Sequence, residues 1–448
     1  MTLIGTTLFA LLLVWALVLG WWQANDHTPS STEMLLYLGA LPLSMIGGYW
    51  LLRGFIDHLK APAEAAAPPR AVADDPLAGA PSTVSSDTHG ESVYLLDSFI
   101  CTPAGDDAAQ LLSAVAEGKR PAPDAALSDD DGFPVFAARV DELDVAAVAE
   151  LDPPPGRSRW LALIVRVLPG VVDRVRECLA ARTTAARFHL LWLLPPAVPV
   201  AEFSDLRTWL LSQCLDGLAP ERIDLVLQSA ATEAEVMAHL DGVVVSASQR
   251  PDDGDIHGVL AAGTAIDAAT VTAWSARGML FSATSPNGMM PGEGALCLLL
   301  SASPDDDTQV RISRVNGAAR DKAVDAHGRI SGTLLGALAT ALLPRHQLVP
   351  ADICAIVSDA DHRASRASEL FDAFGDDFAA LDPAADYPCI GTVCGSLAPF
   401  GGLLAVAAAS ASVTDRPALC ITQQHPTARA AVLLFPLPPP ADCPAEAS

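Results

Sequence analysis

The chain has 448 residues, of which 51% are hydrophobic and 18% are charged, and its formal net charge is -26. That length suits one large two-half domain or two to three ordinary domains. The excess of 53 acidic over 27 basic residues repels phosphate backbones and argues against nucleic-acid binding. The nine cysteines are dispersed without metal-ligand spacing, which argues against a disulfide framework and favours a reducing compartment.

Two apolar stretches open the chain, at 3–22 and 34–52. Each is long enough to cross a bilayer as a helix, and tryptophans and tyrosines lie near their ends. The link between them contains Asp26 and Glu33 and no basic residue, whereas Arg53 follows the second stretch. By the positive-inside rule, we predict two membrane spans with both termini in the cytoplasm. A cleaved signal peptide or a buried helical hairpin are the alternatives.

Composition divides the chain into an anchor, a linker and a soluble region. Residues 1–60 form the predicted anchor in a bacterial inner membrane, and the soluble domain is expected in the cytoplasm. Residues 61–91 are rich in Ala, Pro, Ser and Asp and predict a flexible linker. A soluble region follows, and 438–448 is expected to be a disordered tail.

The soluble region alternates strand and helix patterns. Apolar runs predict strands at 92–100, 188–194, 223–227, 295–300, 310–315, 354–358, 417–422 and 430–435. Apolar residues at helical spacing predict helices at 107–118, 160–180, 203–218, 232–240, 268–277, 332–343, 364–374 and 403–411. Residues 243–247 and 260–264 are alternatives for one central strand. The two series have a similar order and predict a duplicated α/β fold with halves at 92–303 and 308–437.

The most distinctive stretch runs from Asn287 to Leu300 and reads NGMMPGEGALCLLL. Its glycines permit backbone angles that side chains forbid, and its proline restricts one more dihedral. The apolar residues after Glu293 predict a buried strand. This stretch resembles the "GF-x-PGEGA-x-x-L-x-L" turn of the β-ketoacyl-synthase and thiolase superfamily. The TPAG turn at 102–105 and the LAAGT segment at 260–264 are also similar to family motifs.

The resemblance implies a thiolase-like, duplicated α-β-α-β-α layered fold, here preceded by two transmembrane helices. It also implies a homodimer that pairs through the strand at 223–227. In the family a nucleophilic cysteine begins the helix after that strand, where the helix dipole lowers its pKa. This chain has Ser229 and Ala230 there and no cysteine. Ser229 is expected to be a helix cap rather than a nucleophile.

Two family histidines are also replaced. The frame at 348–360 is similar to the one that carries the first histidine, and Asp359 occupies its position. His362 lies three residues further on and is expected in a solvated loop. In the similar segment at 391–402, Ser396 occupies the position of the second family histidine. Cys394 is expected to be a packed thiol.

The glycine-rich turn that helps form the family's oxyanion hole is replaced by QQHPT at 423–427. The spacing of the family motifs is therefore kept while the reacting groups are missing. This pattern favours a protein that keeps the fold but does not catalyse the reaction. No cofactor or metal motif stands out. The acidic triplets at 129–131 and 305–307 are expected to be solvated loops.

These patterns predict a catalytically inactive, membrane-anchored thiolase-like scaffold that binds a protein partner. Degenerate proteins of this kind resemble the adaptors of type VI secretion effectors such as lipases. The alternative is a β-ketoacyl-synthase-type condensing enzyme, or its inactive chain-length partner, in lipid or polyketide synthesis. A structural membrane protein whose soluble domain only dimerises is a third reading.

Overall fold

The computed structural model describes residues 21, 92–151, 153, 156–250, 254–326 and 328–437. All of these except Trp21 belong to one unit, Ser86–Ser448. Apart from Trp21, the two predicted spans lie outside the described residues, as do the linker at 61–91 and the tail at 438–448. Within the described part, no helix is long and apolar enough to cross a bilayer.

Strands and helices alternate through the described residues. The strands are β1 (Ser92–Cys101), β2 (Ala122–Ser128), β3 (Pro134–Ala137), β4 (Phe188–Leu194), β5 (Ile223–Ser229), β6 (Ile256–Thr264), β7 (Glu293–Ser301), β8 (Val310–Ser313), β9 (Asn316–Ala319), β10 (Ala355–Ser358), β11 (Ala418–Thr422) and β12 (Ala428–Pro436). The α-helices are α1 (Ala108–Ala116), α2 (Arg157–Ala181), α3 (Phe203–Trp209), α4 (Glu233–Ser248), α5 (Ala268–Ala276), α6 (Thr333–Thr340), α7 (Ala364–Phe374), α8 (Gly391–Cys394) and α9 (Gly401–Ser412).

Ten of these strands form one mixed sheet. Its order is β10-β11-β12-β8-β1-β7-β6-β4-β5, and β9 pairs with β12 beside this path. β7 runs antiparallel to both β1 and β6, whereas β4 is parallel to β5 and β6. β7 is buried at every position, as expected for a strand covered on both faces. β5 and β10 lie at the two ends of the sheet.

Three groups of helices pack against the two halves of this sheet. α2 and α3 pack on the outer face of the first half, and α6 and α7 pack on the outer face of the second half. α4 and α9 lie between the halves and share one apolar core with strands of both. This arrangement gives the predicted α-β-α-β-α layering.

The glycine turn at 288–294 is held by close backbone contacts rather than by positive φ angles. A Cβ at Gly292 would lie 1.9 Å from the carbonyl oxygen of Cys394, and one at Gly294 would lie 3.0 Å from that of Cys101. Neither Gly292 nor Gly294 has a positive φ, so the expectation that the turn needs glycine for its backbone angles is wrong. At Gly292 only glycine fits, because another backbone passes where a side chain would lie, and at Gly294 the space for a side chain is tight.

Glu293, in the middle of that motif, is fully buried. It accepts hydrogen bonds from the Val140 amide at 2.9 Å and the Thr264 hydroxyl at 3.0 Å, and it pairs with Arg159. A buried carboxylate needs such partners to offset its lost hydration. Glu293 therefore ties β7 to β6 and to α2.

Three local predictions need correction. Residues 243–247 lie inside α4, so the segment at 260–264, within β6, is the central strand. Val236, Leu240, Val244 and Ala247 are buried at helical spacing, and this packing overrides the strand preference of a valine run. One helix is expected at 203–218, but α3 ends at Trp209 and a short π-helical turn follows it. The hairpin of β2 and β3 was not predicted.

Candidate functional site

The turn before α4 carries no reactive group. Ser229 is exposed at the end of β5, and Ala230 is buried with its N–H donating to the Leu194 carbonyl at 3.0 Å. The hydroxyl of Thr232 accepts the Glu235 N–H at 3.2 Å. Thr232 is therefore the helix cap, and the expectation that Ser229 serves as the cap is wrong.

Asp359 follows β10 and is 1% exposed. Its Oδ1 accepts the N–H of Gln423 at 2.6 Å and the N–H of Gln424 at 3.1 Å. These donors belong to the QQHPT segment at 423–427. Asp359 thus holds that segment by its backbone amides.

Glu233, the first residue of α4, is also buried, at 2% exposure. Its Oε2 accepts the N–H of His425 at 3.1 Å. Three consecutive amides, 423 to 425, therefore hold two carboxylates from opposite halves of the fold. We call Glu233, Asp359 and residues 423–425 the carboxylate site. Sequence reasoning missed Glu233 because an acidic residue in a helix's first turn normally stabilises an exposed helix end.

Four acceptor atoms of the carboxylate site have no hydrogen-bond partner within the described residues. They are Oε1 of Glu233, Oδ2 of Asp359 and the side-chain oxygens of Gln423 and Gln424, and all are shielded from solvent. The Gln424 amide nitrogen already donates to the carbonyls of Asp359 at 3.4 Å and Gly395 at 3.2 Å, which supports this orientation of the amide. The site is rich in acceptors and short of donors.

This environment favours protonated acids. Burial raises the pKa of Asp359 to about 6, although the Gln423 and Gln424 amides oppose the shift. Burial also raises the pKa of Glu233, and the negative charge of Asp359 adds to that effect. A proton on either carboxyl supplies a donor where the site lacks one.

Nearby arginines hold the backbone of the segment rather than the two carboxylates. Arg366 donates to the Gln424 carbonyl at 2.9 Å, and Arg429 donates to the His425 carbonyl at 2.6 Å. Arg429 also forms a fully buried ion pair with Glu369 at 2.7 Å. The arginine charges are thus directed to carbonyls and to Glu369, which leaves both acids without an ion-pair partner.

Ser396 joins the same region through its backbone. It is 5% exposed, and its N–H donates to the Met290 carbonyl in the glycine turn at 2.8 Å. Burial raises the pKa of Cys394 to about 12, in agreement with a packed thiol. Burial likewise raises the pKa of the other cysteines that the structure describes, so none of them is an activated thiolate.

His362 does not reach Asp359. Its ring packs edge to face on Phe281 with centroids 5.0 Å apart. Burial lowers its pKa. The ring is half-buried against the loop before β7, so the expectation of a solvated loop residue is wrong.

The acidic triplets hold no preformed metal site. Asp305 pairs with Arg174 at 2.7 Å, and Asp129 accepts amides of its own turn. Among the described residues, no group of three or more His, Cys, Asp or Glu side chains is arranged to hold a metal ion.

No family model matches the sequence, and no curated protein matches it. Solved structures do match. The ishigamide ketosynthase/chain length factor is 16% identical with a TM-score of 0.50, covering 78% of this chain and 100% of the other. The oxazolomycin ketosynthase domain of Streptomyces albus JA3453 is 13% identical with a TM-score of 0.52, covering 80% and 76%.

A third match is the ketosynthase ApeO in complex with its chain length factor ApeC from Xenorhabdus doucetiae. It is 11% identical with a TM-score of 0.52, and the match covers 78% of this chain and 98% of the other. Identities this low support a common fold and no common activity. The predicted thiolase-like fold is therefore confirmed, and the chain has the fold of the ketosynthases and their chain length factors.

Proposed function

We propose that this chain is a ketosynthase-fold subunit that catalyses no condensation itself and pairs with a second protein of the same fold. It would act as a chain-length partner rather than as a condensing enzyme. The observation that carries the proposal is the turn before α4. Ala230 stands there without a thiol, and Glu233 at the start of α4 is bonded, like Asp359, to the amides of 423–425.

The chemistry of the carboxylate site supports this assignment. Acyl transfer needs a nucleophile with a base in reach and donors aimed at the developing oxyanion. Here the three amides at 423–425 are already bonded to carboxylates. The N–H groups that would stabilise an oxyanion are therefore occupied by carboxyl groups of the protein itself.

The edge strand β5 supports pairing. Asp224, Val226 and Gln228 are exposed along it, and Val226 is 48% exposed. Beside this strand, Val243 and the exposed Ser246 of helix α4 line one cavity with Asp224 and Val226, whereas the other central helix is buried along Gly401–Ala409. An open edge strand beside a half-uncovered central helix is a surface that a second subunit can extend and cover.

The pairing surface is tested with Val226→Lys. A charge on the edge strand should weaken association with a ketosynthase-fold partner, or with a second copy, by about tenfold or more. The control is Val200→Lys, because Val200 is 75% exposed outside this strand. Native mass spectrometry and sedimentation measure the association. Equal association of both variants with the wild type would contradict pairing through β5.

The absence of condensation is tested separately. The full chain is incubated with acetyl and malonyl thioesters of pantetheine, and its intact mass is measured. We expect no acyl adduct, because no described cysteine is activated and Ser229 has no base identified beside it. An adduct that forms on the wild type and disappears in Ser229→Ala would assign the chain to the condensing enzymes instead.

The membrane anchor at 3–22 and 34–52 and the cytoplasmic location stay predictions, and they place the proposed subunit at the bacterial inner membrane. The ketosynthase and chain-length-factor neighbours support the chain-length alternative better than the role of a type VI secretion adaptor. The adaptor role stays a prediction from resemblance.

A further inference from the structure

The hairpin of β2 and β3 is fixed to the domain by its inner face. Leu127, Val135 and Ala137 pack with Ile266 and Leu280 in a separate apolar cluster. Alternate residues of β3 point the other way, so Pro134 and Phe136 face outward. The hairpin is thus a rigid platform with an apolar outer side.

That outer side is unusually aromatic. Phe133 is 67% exposed and Phe136 is 38% exposed. Phe136 packs edge to face on Phe281 with centroids 5.5 Å apart. Exposed aromatic groups of this kind mark interaction surfaces more often than isolated apolar residues do.

The turn that carries Phe133 is held by hydrogen bonds. Asp129 Oδ1 accepts the N–H of Asp131 at 3.0 Å and the N–H of Phe133 at 2.8 Å, and Gly132 adopts φ +83°. Phe133 is therefore held in solvent by a preorganised turn. Little conformational entropy is lost from that turn when a partner covers the ring.

We call the space between this hairpin and residues 278–285 the aromatic cleft. Its volume is about 440 Å³. Through Gly278 it continues into a second cavity of about 610 Å³, bounded by Arg363, Ser365 and Pro426.

The charge of the aromatic cleft is negative. Its lining includes Asp129 and Asp131 and, among the described residues, no Lys, Arg or His. In the second cavity, Arg363 is paired with Asp361 at 2.8 Å. A partner that brings basic groups to this cleft meets complementary charge, and the net charge of -26 attracts it from a distance.

We propose that the aromatic cleft binds a basic segment of a partner protein that inserts a leucine or phenylalanine between Phe133, Phe136 and Phe281. The apolar anchor supplies the affinity, and lysines or arginines beside it face Asp129 and Asp131. The surface is separate from β5, so the proposal holds whether or not the chain pairs through its edge strand.

The probe is a fluorescein-labelled heptapeptide of alternating sequence Lys-Leu-Phe-Lys-Leu-Phe-Lys. Its binding to the full chain in neutral nanodiscs is followed by fluorescence anisotropy. We expect saturable binding that weakens about tenfold or more in the double variant Phe133→Ser, Phe136→Ser. Asp131→Asn should weaken it about threefold at low salt. The control Phe371→Ser alters a ring that is 52% exposed and is not among the residues lining the cleft, and it should bind as the wild type does.

Three outcomes would overturn the proposal. The first is equal binding by the double variant, which would indicate general attraction to an acidic protein. The second is equal binding of a peptide with glutamate in place of lysine. The third is loss of self-association in the double variant, which would assign the cleft to a second copy of this chain. Far-UV circular dichroism of each variant verifies that the fold is retained.

Discussion

The glycine turn and the carboxylate site are neighbours, and different constraints act on them. The turn at 288–294 keeps its motif because backbone atoms of other segments occupy the space where side chains would lie. In the carboxylate site, Glu233 and Asp359 share the amides of 423–425. Close packing limits the residue types that fit at the turn, whereas the carboxylate site depends on hydrogen bonds and on the protonation of its acids. The comparison predicts unequal effects of substitution.

The largest effect is expected at the turn. Gly292→Val places a Cβ 1.9 Å from the Cys394 carbonyl oxygen, so β7 or the loop before α9 must move. We expect a loss of about 4 kcal/mol or more in the free energy of unfolding, or no folded protein. Chemical unfolding followed by circular dichroism measures it.

Gly242→Ala is the matched control for that substitution. A Cβ at Gly242 meets no atom within 4 Å, and the residue lies in helix α4. Alanine there should stabilise the protein by up to about 1 kcal/mol, because glycine is a poor helix former. If both glycine variants behave alike, close packing is not what retains the motif.

The next effect concerns pH and the carboxylate site. Because the pKa of Asp359 rises from 3.8 to about 6 on folding, the folded state holds its proton more tightly than the unfolded state. The stabilisation is complete below pH 3.8 and is lost as the pH rises to about 6. In total, ionisation of the Asp359 carboxyl should lower the free energy of unfolding by about 3 kcal/mol.

Asp359→Asn should remove this part of the pH dependence. Asparagine keeps an acceptor for the 423 and 424 amides and supplies a donor in place of the proton. Urea unfolding at pH 4 and pH 7 measures the change, with Asp131→Asn on the exposed hairpin turn as control. Identical pH dependence in wild type and Asp359→Asn would mean that the Asp359 carboxyl is not protonated on folding.

The smallest effect is expected for Ser396→Ala. Ser396 is held through its backbone N–H, which alanine retains. The free energy of unfolding should change by less than about 1 kcal/mol, and partner binding should be unaffected. If Ser396→Ala abolishes function in a folded protein, the scaffold interpretation is wrong and a catalytic role must be sought.

Much of the architecture was predictable from local pattern. The glycine motif and the apolar run after it located β7, and helical spacing located α7 at 364–374. Local pattern failed where packing decided the outcome. The valine run at 243–247 has strand propensity, yet it continues α4 because one face of that helix is buried between the two halves. The β2–β3 hairpin was missed because its alternation is short and its outer side is apolar.

The candidate site was only half visible in the sequence. Asp359, Ser396 and Ala230 were found because the resemblance marks positions where family residues are missing. The resemblance does not single out Glu233. Its burial depends on contact with His425, which lies 192 residues away in the sequence.

The sequence by itself determined most of the strands and helices, the glycine turn and the absence of a cysteine before α4, because these are properties of single residues and of short-range periodicity. Tertiary structure alone decided that two carboxylates meet the same three backbone amides and that two phenylalanines of the β2–β3 hairpin are exposed. Burial and exposure depend on which distant segments pack together, and the charge of a carboxyl follows its burial. A residue's type limits its possible roles, and its neighbours in space select among them.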